Sequence, residues 1–382
     1  MTSLYDAVAT AVTLAGDRAL IRLRTSYQPS GGSGARIYPP TYPVSPSERD
    51  PYVIETRFVD GVERKDVLLD SVPSQANRAE EALLRARREG RVELPLLEIH
   101  HDGATSVKLT SLELPHRYAD AYLLDSLLDG EKFDRTPLGQ AFQTASAMDA
   151  TALFTHDPGS VVFGAWNSHR KGRQVKFPRI YASEIIGWDP QVGQRKAGRM
   201  DPLNLTGTGS RDADGELHYV ALGEKAKGVR LSEIGHGNIA PNSAHGGVTV
   251  SSAERFATIS LAGLNRLGFG PASREAAVAA RACLAAYALL ADRLAFGGPS
   301  LWLRSGCELV TVTETLEWVE RGEKTEPIEL TTEEAVALYA QAAERAAAAG
   351  LPMDMETITL TPGKGLGEAI DFALTNAETS GE

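Results

Sequence analysis

The chain has 382 residues, 42% of them hydrophobic, and a formal net charge of −11. That length and apolar content can bury a substantial core, as one elaborated domain or two, while the acidic balance argues against coating nucleic acid over the whole surface. No apolar run approaches the roughly 20 residues needed to span a bilayer, and Cys283 and Cys307 are too far apart for a CxxC metal or redox motif, so both read as reduced thiols of a cytoplasmic protein.

The N-terminal stretch MTSLYDAVATAVTLAGDRAL lacks a basic n-region and contains Asp6, so it reads as a helix rather than a signal peptide. ALIRLRTSY follows as the first strand, with Ile21 and Leu23 on one face and Arg22 and Arg24 on the other. A Gly/Ser/Pro-rich loop leads to strands near 52–59 and 64–69. DSVPSQANRAEEALLRARREG is then a helix capped by Ser71, with Pro73 in its first turn and Gly90 at its end. In the middle third, PHRYADAYLLDSLL predicts a helix, and SVVFGAW and FPRIYASEII predict strands joined by the turn-like HRKGRQVK, a long basic hairpin. GQRKAGRMDPLNLTGTGSRDADGE has the composition of a mobile insertion. SREAAVAARACLAAYALLADRLAFGG is the clearest helix, opening at Ser273. CELVTVTETLEWV and METITLTP read as late strands around a helix over 332–349. There is no internal repeat. The mixture fits an α+β class, for which a ferredoxin-like split βαβ core with large insertions is an economical solution.

Few constellations carry chemistry. GGSGAR and TPGKGLGEAI miss the GxxxxGK[ST] pattern, and the second is a plain turn before a C-terminal helix or a helix start offered to an anion. The histidines, including His236 and His245, show no HExxH framework, no GxSxG elbow is present, and no carboxylate pair stands out. The expectation is therefore no metal, no cofactor and no catalytic residue. Charge is the informative signal. Between Trp166 and Arg199 eight Lys or Arg face only two acids, whereas from Glu317 to Glu382 fourteen acids face four bases. Screening acts over about 8 Å at physiological salt, so a basic arm and an acidic region can coexist. Lys and Arg neutralise phosphates while aromatic groups stack on unpaired bases, and SHRKGRQVKFPR with its flanks has both. The competing reading is a solvated surface loop flanked by core aromatics; Trp166 and Trp188, taken singly, read as core.

Three blocks in order carry a resemblance: LLDSVPSQANRAEE; HDPGSVVFGAWNS with KFPRIYASEIIGWD; and GHGNIAPNSAHGGVTVSSAERFATISLAGLNRL. From about Leu20 to Leu267 the chain resembles the backbone subunit of CRISPR type I-G (earlier I-U) Cascade complexes, within the RAMP superfamily. The resemblance implies an RRM-like palm with helical fingers and a projecting thumb, a single elaborated domain over 1–382. The thumb or insertion region would be 160–235, and 317–382 an acidic part of the same domain. It implies a non-catalytic subunit that oligomerises along crRNA, with the target DNA strand, other copies of itself and other Cascade subunits as partners and no membrane. RNA contacts would come from Arg22 and Arg24 on the palm. Gln75, Asn77 and Arg78 would contribute at a helix start, where capping and packing are the alternative role, as would His169, Arg170, Lys171, Arg173, Lys176 and Arg179 on the hairpin, and Asn238. Residues 200–230 have no clear family role and compete with the hairpin for the thumb. The alternatives are a RAMP-type ribonuclease, with His169 and Asp189 as the nearest acid/base candidates, and an unrelated cytoplasmic metabolic enzyme.

Overall fold

The computed structural model describes residues 3–13, 17–43, 51–103, 105–167, 175–194, 198, 200–212, 214–221, 228–238 and 246–379. Its architecture is mixed α+β, built on a curled antiparallel sheet. In spatial order the strands are Ser300–Arg304, Cys307–Glu320, Arg18–Pro29, Ser252–Ser260, Tyr181–Trp188, Val62–Asp70 and Ile54–Val59, with the short Thr325–Pro327 pairing to Cys307–Glu320. The predicted first strand is present. Its alternation puts Ile21 and Leu23 into the core, and it lies between Ser252–Ser260 and Cys307–Glu320, with Arg24 opposite both Phe256 and Thr315.

Among the described residues the main helices pack on the Ile21/Leu23 side. Val72–Arg88 packs on strand Tyr181–Trp188 and on the long helix Arg274–Phe296, which also meets Leu4–Ala11, Pro158–Val162 and Thr332–Ala348. A helix surrounded in this way must be apolar nearly all round. This one does so with alanine: Ala279, Ala280, Ala282, Ala285, Ala286, Ala288 and Ala291 are buried, and their small side chains let neighbouring helices approach closely. Caps fix the helix starts, at Ser71 and Ser273 as the sequence predicts. Ser71, Ser273 and Thr331 accept from backbone N–H groups three residues on, and Thr331 with Glu334 completes a capping box.

Between sheet and helices runs a buried polar chain. Asp70 accepts from Ser74 (2.7 Å), Arg78 (2.9 Å) and Gln75; the Gln75 carbonyl oxygen accepts from Ser183 (2.8 Å). Arg255, fully buried, donates to Ser183 (2.9 Å), Tyr181 (2.7 Å) and Asp292, and its guanidinium lies 4.1 Å from the Phe296 ring centroid. Asp292 also pairs with Arg293 (2.7 Å), which continues to Glu314. Burial alone would raise the Asp292 carboxyl; the guanidiniums of Arg255 and Arg293 outweigh it and hold the group below the usual carboxylate range.

Several local expectations are corrected. PHRYADAYLLDSLL is not one helix but a turn at Arg117–Ala119, a short helix Ala121–Leu124 and a strand Ser126–Leu128. Asp120 breaks it by accepting from the backbone N–H groups of His116 and Tyr122. SVVFGAW is not one strand: Asp157 caps a short helix Pro158–Val162, Gly164 turns at φ 83°, and only Ala165–Asn167 is extended. FPRIYASEII divides at Pro178 into Val175–Phe177 and Tyr181–Trp188. Within GQRKAGRMDPLNLTGTGSRDADGE, Thr208–Arg211 joins a small three-stranded sheet with Leu217–Val220 and Val229–Arg230. A second sheet, in the order Ser106–Thr110, Leu96–Asp102, Thr357–Pro362, Ser126–Leu128, Glu131–Lys132, joins the middle third to the C-terminal part. No described helix is long and apolar enough to cross a membrane.

Candidate nucleic-acid interface

The sheet face away from the helices holds the first group of side chains. Register places Arg22 beside Thr258 and Glu317, and Arg24 beside Phe256 and Thr315. Across this face guanidinium and ring alternate. Arg24 lies 5.1 Å from the Phe256 centroid; Phe256 meets Trp188 edge-on at 6.4 Å; Arg64 lies 4.5 Å from the Trp188 centroid. Such contacts are worth about 0.5–1 kcal/mol each at exposed sites, enough to orient the row.

Most of the positive charge on this face is already paired. Arg22 binds Glu317 at 2.7 Å, Arg57 binds Asp66 (2.9 Å) and Glu184 (2.7 Å), and Arg64 binds Asp189 at 2.7 Å. Arg24 is exposed and has no ion pair among the described residues. Its guanidinium is thus the one in this row that an incoming phosphate would not have to take from a carboxylate. Asp189, one of the two acid/base candidates, is held below the usual range by its hydrogen bonds from Arg64 and Ser251, so it stands as an engaged carboxylate.

The second group lies on the hairpin stem, where Ala165–Asn167 pairs antiparallel with Val175–Phe177. Asn167, Val175 and Phe177 turn into the body of the protein and are buried. Alternation then sends Trp166 and its cross-strand partner Lys176 outward. Trp166 is 55% exposed, which corrects its reading as a core residue, whereas Trp188 is 4% exposed and agrees with that reading. The Lys176 ammonium lies 6.0 Å from the Trp166 centroid, and Arg179, two residues beyond the stem, is exposed. The stem is anchored from below by Arg117, which donates to the Gly164 carbonyl (2.8 Å) and to both oxygens of buried Glu80 (2.6 and 2.8 Å). Burial pushes the Glu80 carboxyl up to about 7. His169, Arg170, Lys171 and Arg173 lie outside the described residues.

The remaining candidates separate in space. Gln75 is fully buried with its amide engaged on both sides by Asp70, Ser183 and Arg255, a packing and positioning role within the core. Arg78 is held by Asp70 and donates to the Leu303 carbonyl (2.8 Å), while Asn77, one residue earlier on the helix, is exposed. Asn238 accepts from the Asp201 backbone N–H (2.6 Å) and donates to Asn204 (2.7 Å), tying the ends of the small-sheet insertion. Phe256, Arg57 and Arg64 escaped the sequence reading, although the alternation in SAERFATIS could have placed Phe256 on the Arg24 side. Among the described residues no three His, Cys, Asp or Glu side chains are grouped to hold a metal ion.

The chain matches no curated protein. Residues 21–192, which hold the first strand, the Ser71-capped helix, the hairpin stem and strand Tyr181–Trp188, match the model of the family described as CRISPR-associated protein GSU0053, and over that stretch the chain is similar to this CRISPR-associated family.

Proposed function

We propose that the protein is a non-catalytic backbone subunit that binds guide RNA along a type I-G Cascade complex. In this reading it assembles with further copies of itself and with other Cascade subunits in the cytoplasm, and it supports pairing of the guide with a target DNA strand. The observation that carries the reading is the hairpin stem. An outward Trp166 paired with Lys176, at the root of the most basic part of an acidic chain, lies inside the stretch similar to a CRISPR-associated family. Lys and Arg on such an arm supply sequence-independent phosphate contacts, as guide-pairing systems require when base pairing does the reading.

The fold supports the same reading. Taking Arg18–Pro29, Val72–Arg88, Tyr181–Trp188, Ser252–Ser260, Arg274–Phe296 and Cys307–Glu320 in chain order gives strand–helix–strand–strand–helix–strand. Their spatial order is fourth–first–third–second, the order a ferredoxin-like, RRM-like palm would have, which supports that reading. RRM-like sheets present nucleic acid to the helix-free face, where Arg24 and Phe256 stand. In this reading the described residues among 30–70 and 90–159 are insertions that would form the fingers. The insertion between the second and third palm strands contains the small sheet and competes with the hairpin for the thumb.

The test is to purify the protein with its bound nucleic acid and to incubate it in excess with end-labelled guide RNA, with and without a chelator. Intact, repeat-derived RNA that co-migrates with the protein in both conditions is the expected result. Discrete cleavage products that disappear in a His169→Ala variant still able to bind RNA would establish the ribonuclease reading instead.

A further inference from the structure

Trp166 calls for an explanation that phosphate binding does not give. Its side chain is 55% open to solvent, and among the described residues its ring has no aromatic partner. The hairpin does not need it for packing, because Asn167, Val175 and Phe177 already bury the inner face of the stem. The Lys176 ammonium stands 6.0 Å from the indole centroid, and neither Lys176 nor Arg179 has an ion pair among the described residues. An indole face with the Lys176 ammonium beside it fits one nucleotide unit, the ring taking the base and the cation a flanking phosphate.

We propose that Trp166 is a stacking platform for one unpaired base, so that the hairpin stem selects single-stranded over double-stranded nucleic acid. The inference rests on the RNA-binding reading and deepens it by naming the substrate class of the stem. Base-paired nucleotides have both π-faces occupied by their neighbours, so a duplex can offer phosphates to Lys176 and Arg179 but no ring to Trp166. The cations therefore attract either form, and the indole discriminates between them. A protein partner seated on the same indole is the competing occupant; the Lys176 ammonium beside the ring favours the nucleotide.

The experiment compares Trp166→Leu and Trp166→Phe with the unaltered full-length chain. Each is titrated with a uridine oligonucleotide, the same length containing one abasic site at successive positions, and a blunt RNA duplex, while tryptophan fluorescence is followed. Stacking predicts that single-strand binding quenches fluorescence and that Trp166→Leu loses roughly 5- to 150-fold in affinity. It also predicts that Trp166→Phe recovers most of that loss and that duplex affinity stays unchanged in all three. Single-strand affinity in Trp166→Leu equal to that of the unaltered chain would overturn the inference while leaving the RNA-binding reading standing. Loss of self-association in Trp166→Leu with RNA affinity unchanged would also overturn it, in favour of a protein contact. Failure of the unaltered chain to bind any of the RNAs would instead remove the RNA-binding reading itself.

Discussion

The buried chain centred on Arg255 makes an asymmetric prediction about stability. Asp292 holds two guanidiniums, but they do not depend on it equally. Arg293 keeps Glu314 when Asp292 is lost, whereas Asp292 is the only carboxylate paired with the fully buried Arg255 among the described residues. Replacing Asp292 with Asn therefore leaves a charge with no counterion in the core, a change that costs about 3–5 kcal/mol. Replacing Arg255 with Met is milder. Asp292 keeps Arg293 at 2.7 Å and the Tyr181 hydroxyl at 2.8 Å, and Ser183 keeps its bond to Gln75. The loss then approximates one set of charge-assisted hydrogen bonds, about 1.5–3 kcal/mol. With Arg255 gone, Asn at 292 has no stranded charge to create, so the double variant should lie within about 1 kcal/mol of Arg255→Met rather than at the sum. Urea unfolding followed by tryptophan fluorescence measures all three against a typical total of about 5–15 kcal/mol. Equal costs for the two single variants, or strict additivity in the double, would refute the account.

Other outcomes follow from the same structure. Replacing Lys176 and Arg179 together with Ala should weaken RNA binding whatever the base sequence. It should also flatten the plot of log affinity against log salt by about 0.7 for each lost single-strand contact; an unchanged slope would move the phosphate contacts elsewhere. Glu80 titrates near 7 in the folded chain against 4.5 for the ordinary group. Its folded form therefore holds a proton that the unfolded chain has released, and its contribution to stability is present below about 4.5 and lost as pH rises through about 7. The unfolding free energy of the unaltered chain minus that of Glu80→Gln should accordingly fall between pH 5 and pH 7, and a flat difference would contradict the assignment. Gly164→Ala should destabilise by about 1–2 kcal/mol from the left-handed backbone alone. The added Cβ would also meet the Phe177 carbonyl oxygen at 3.0 Å, so thermal melting should show a clear drop. With guide RNA, multimers should lengthen with the spacer under electron microscopy, as head-to-tail contacts that do not close require; closed dimers at every RNA length would speak against it.

Local signals were legible wherever one short stretch contained its own cause. Ser71 and Ser273 mark their helices because a cap and the first turn are contiguous, and Ile21/Leu23 against Arg22/Arg24 give the first strand its two faces. What the sequence hid was pairing at long range. Strand Ser252–Ser260, central to the sheet, has a regular alternation, but nothing in it names its partners Arg18–Pro29 and Tyr181–Trp188. Arg22 looked free for phosphate because nothing near it in sequence reveals Glu317 as its partner. Gln75 looked like an exposed donor at a helix start because Ser183 and Arg255, which surround it, come more than a hundred residues later. Trp166 reads as core from sequence because the sequence does not show the Gly164 turn, after which the short strand sets Trp166 outward.

The position of the first strand also governs how the chain can be made. Leu20 pairs with Ser260 on one side and Val319 on the other. At roughly 5–20 residues per second, synthesis needs about 12–48 s to deliver the first of those partners after Leu20 emerges. During that interval both edges of the strand are unpaired, with Ile21 and Leu23 uncovered, a state that invites pairing with other chains. The hairpin Ile54–Val59 with Val62–Asp70 can close early, since its two strands are neighbours in sequence, but it sits at the far rim and gives the first strand no shelter. The sheet is thus assembled from its last-made pieces inward, and the nascent chain depends on being kept apart from its neighbours until Ser252–Ser260 arrives.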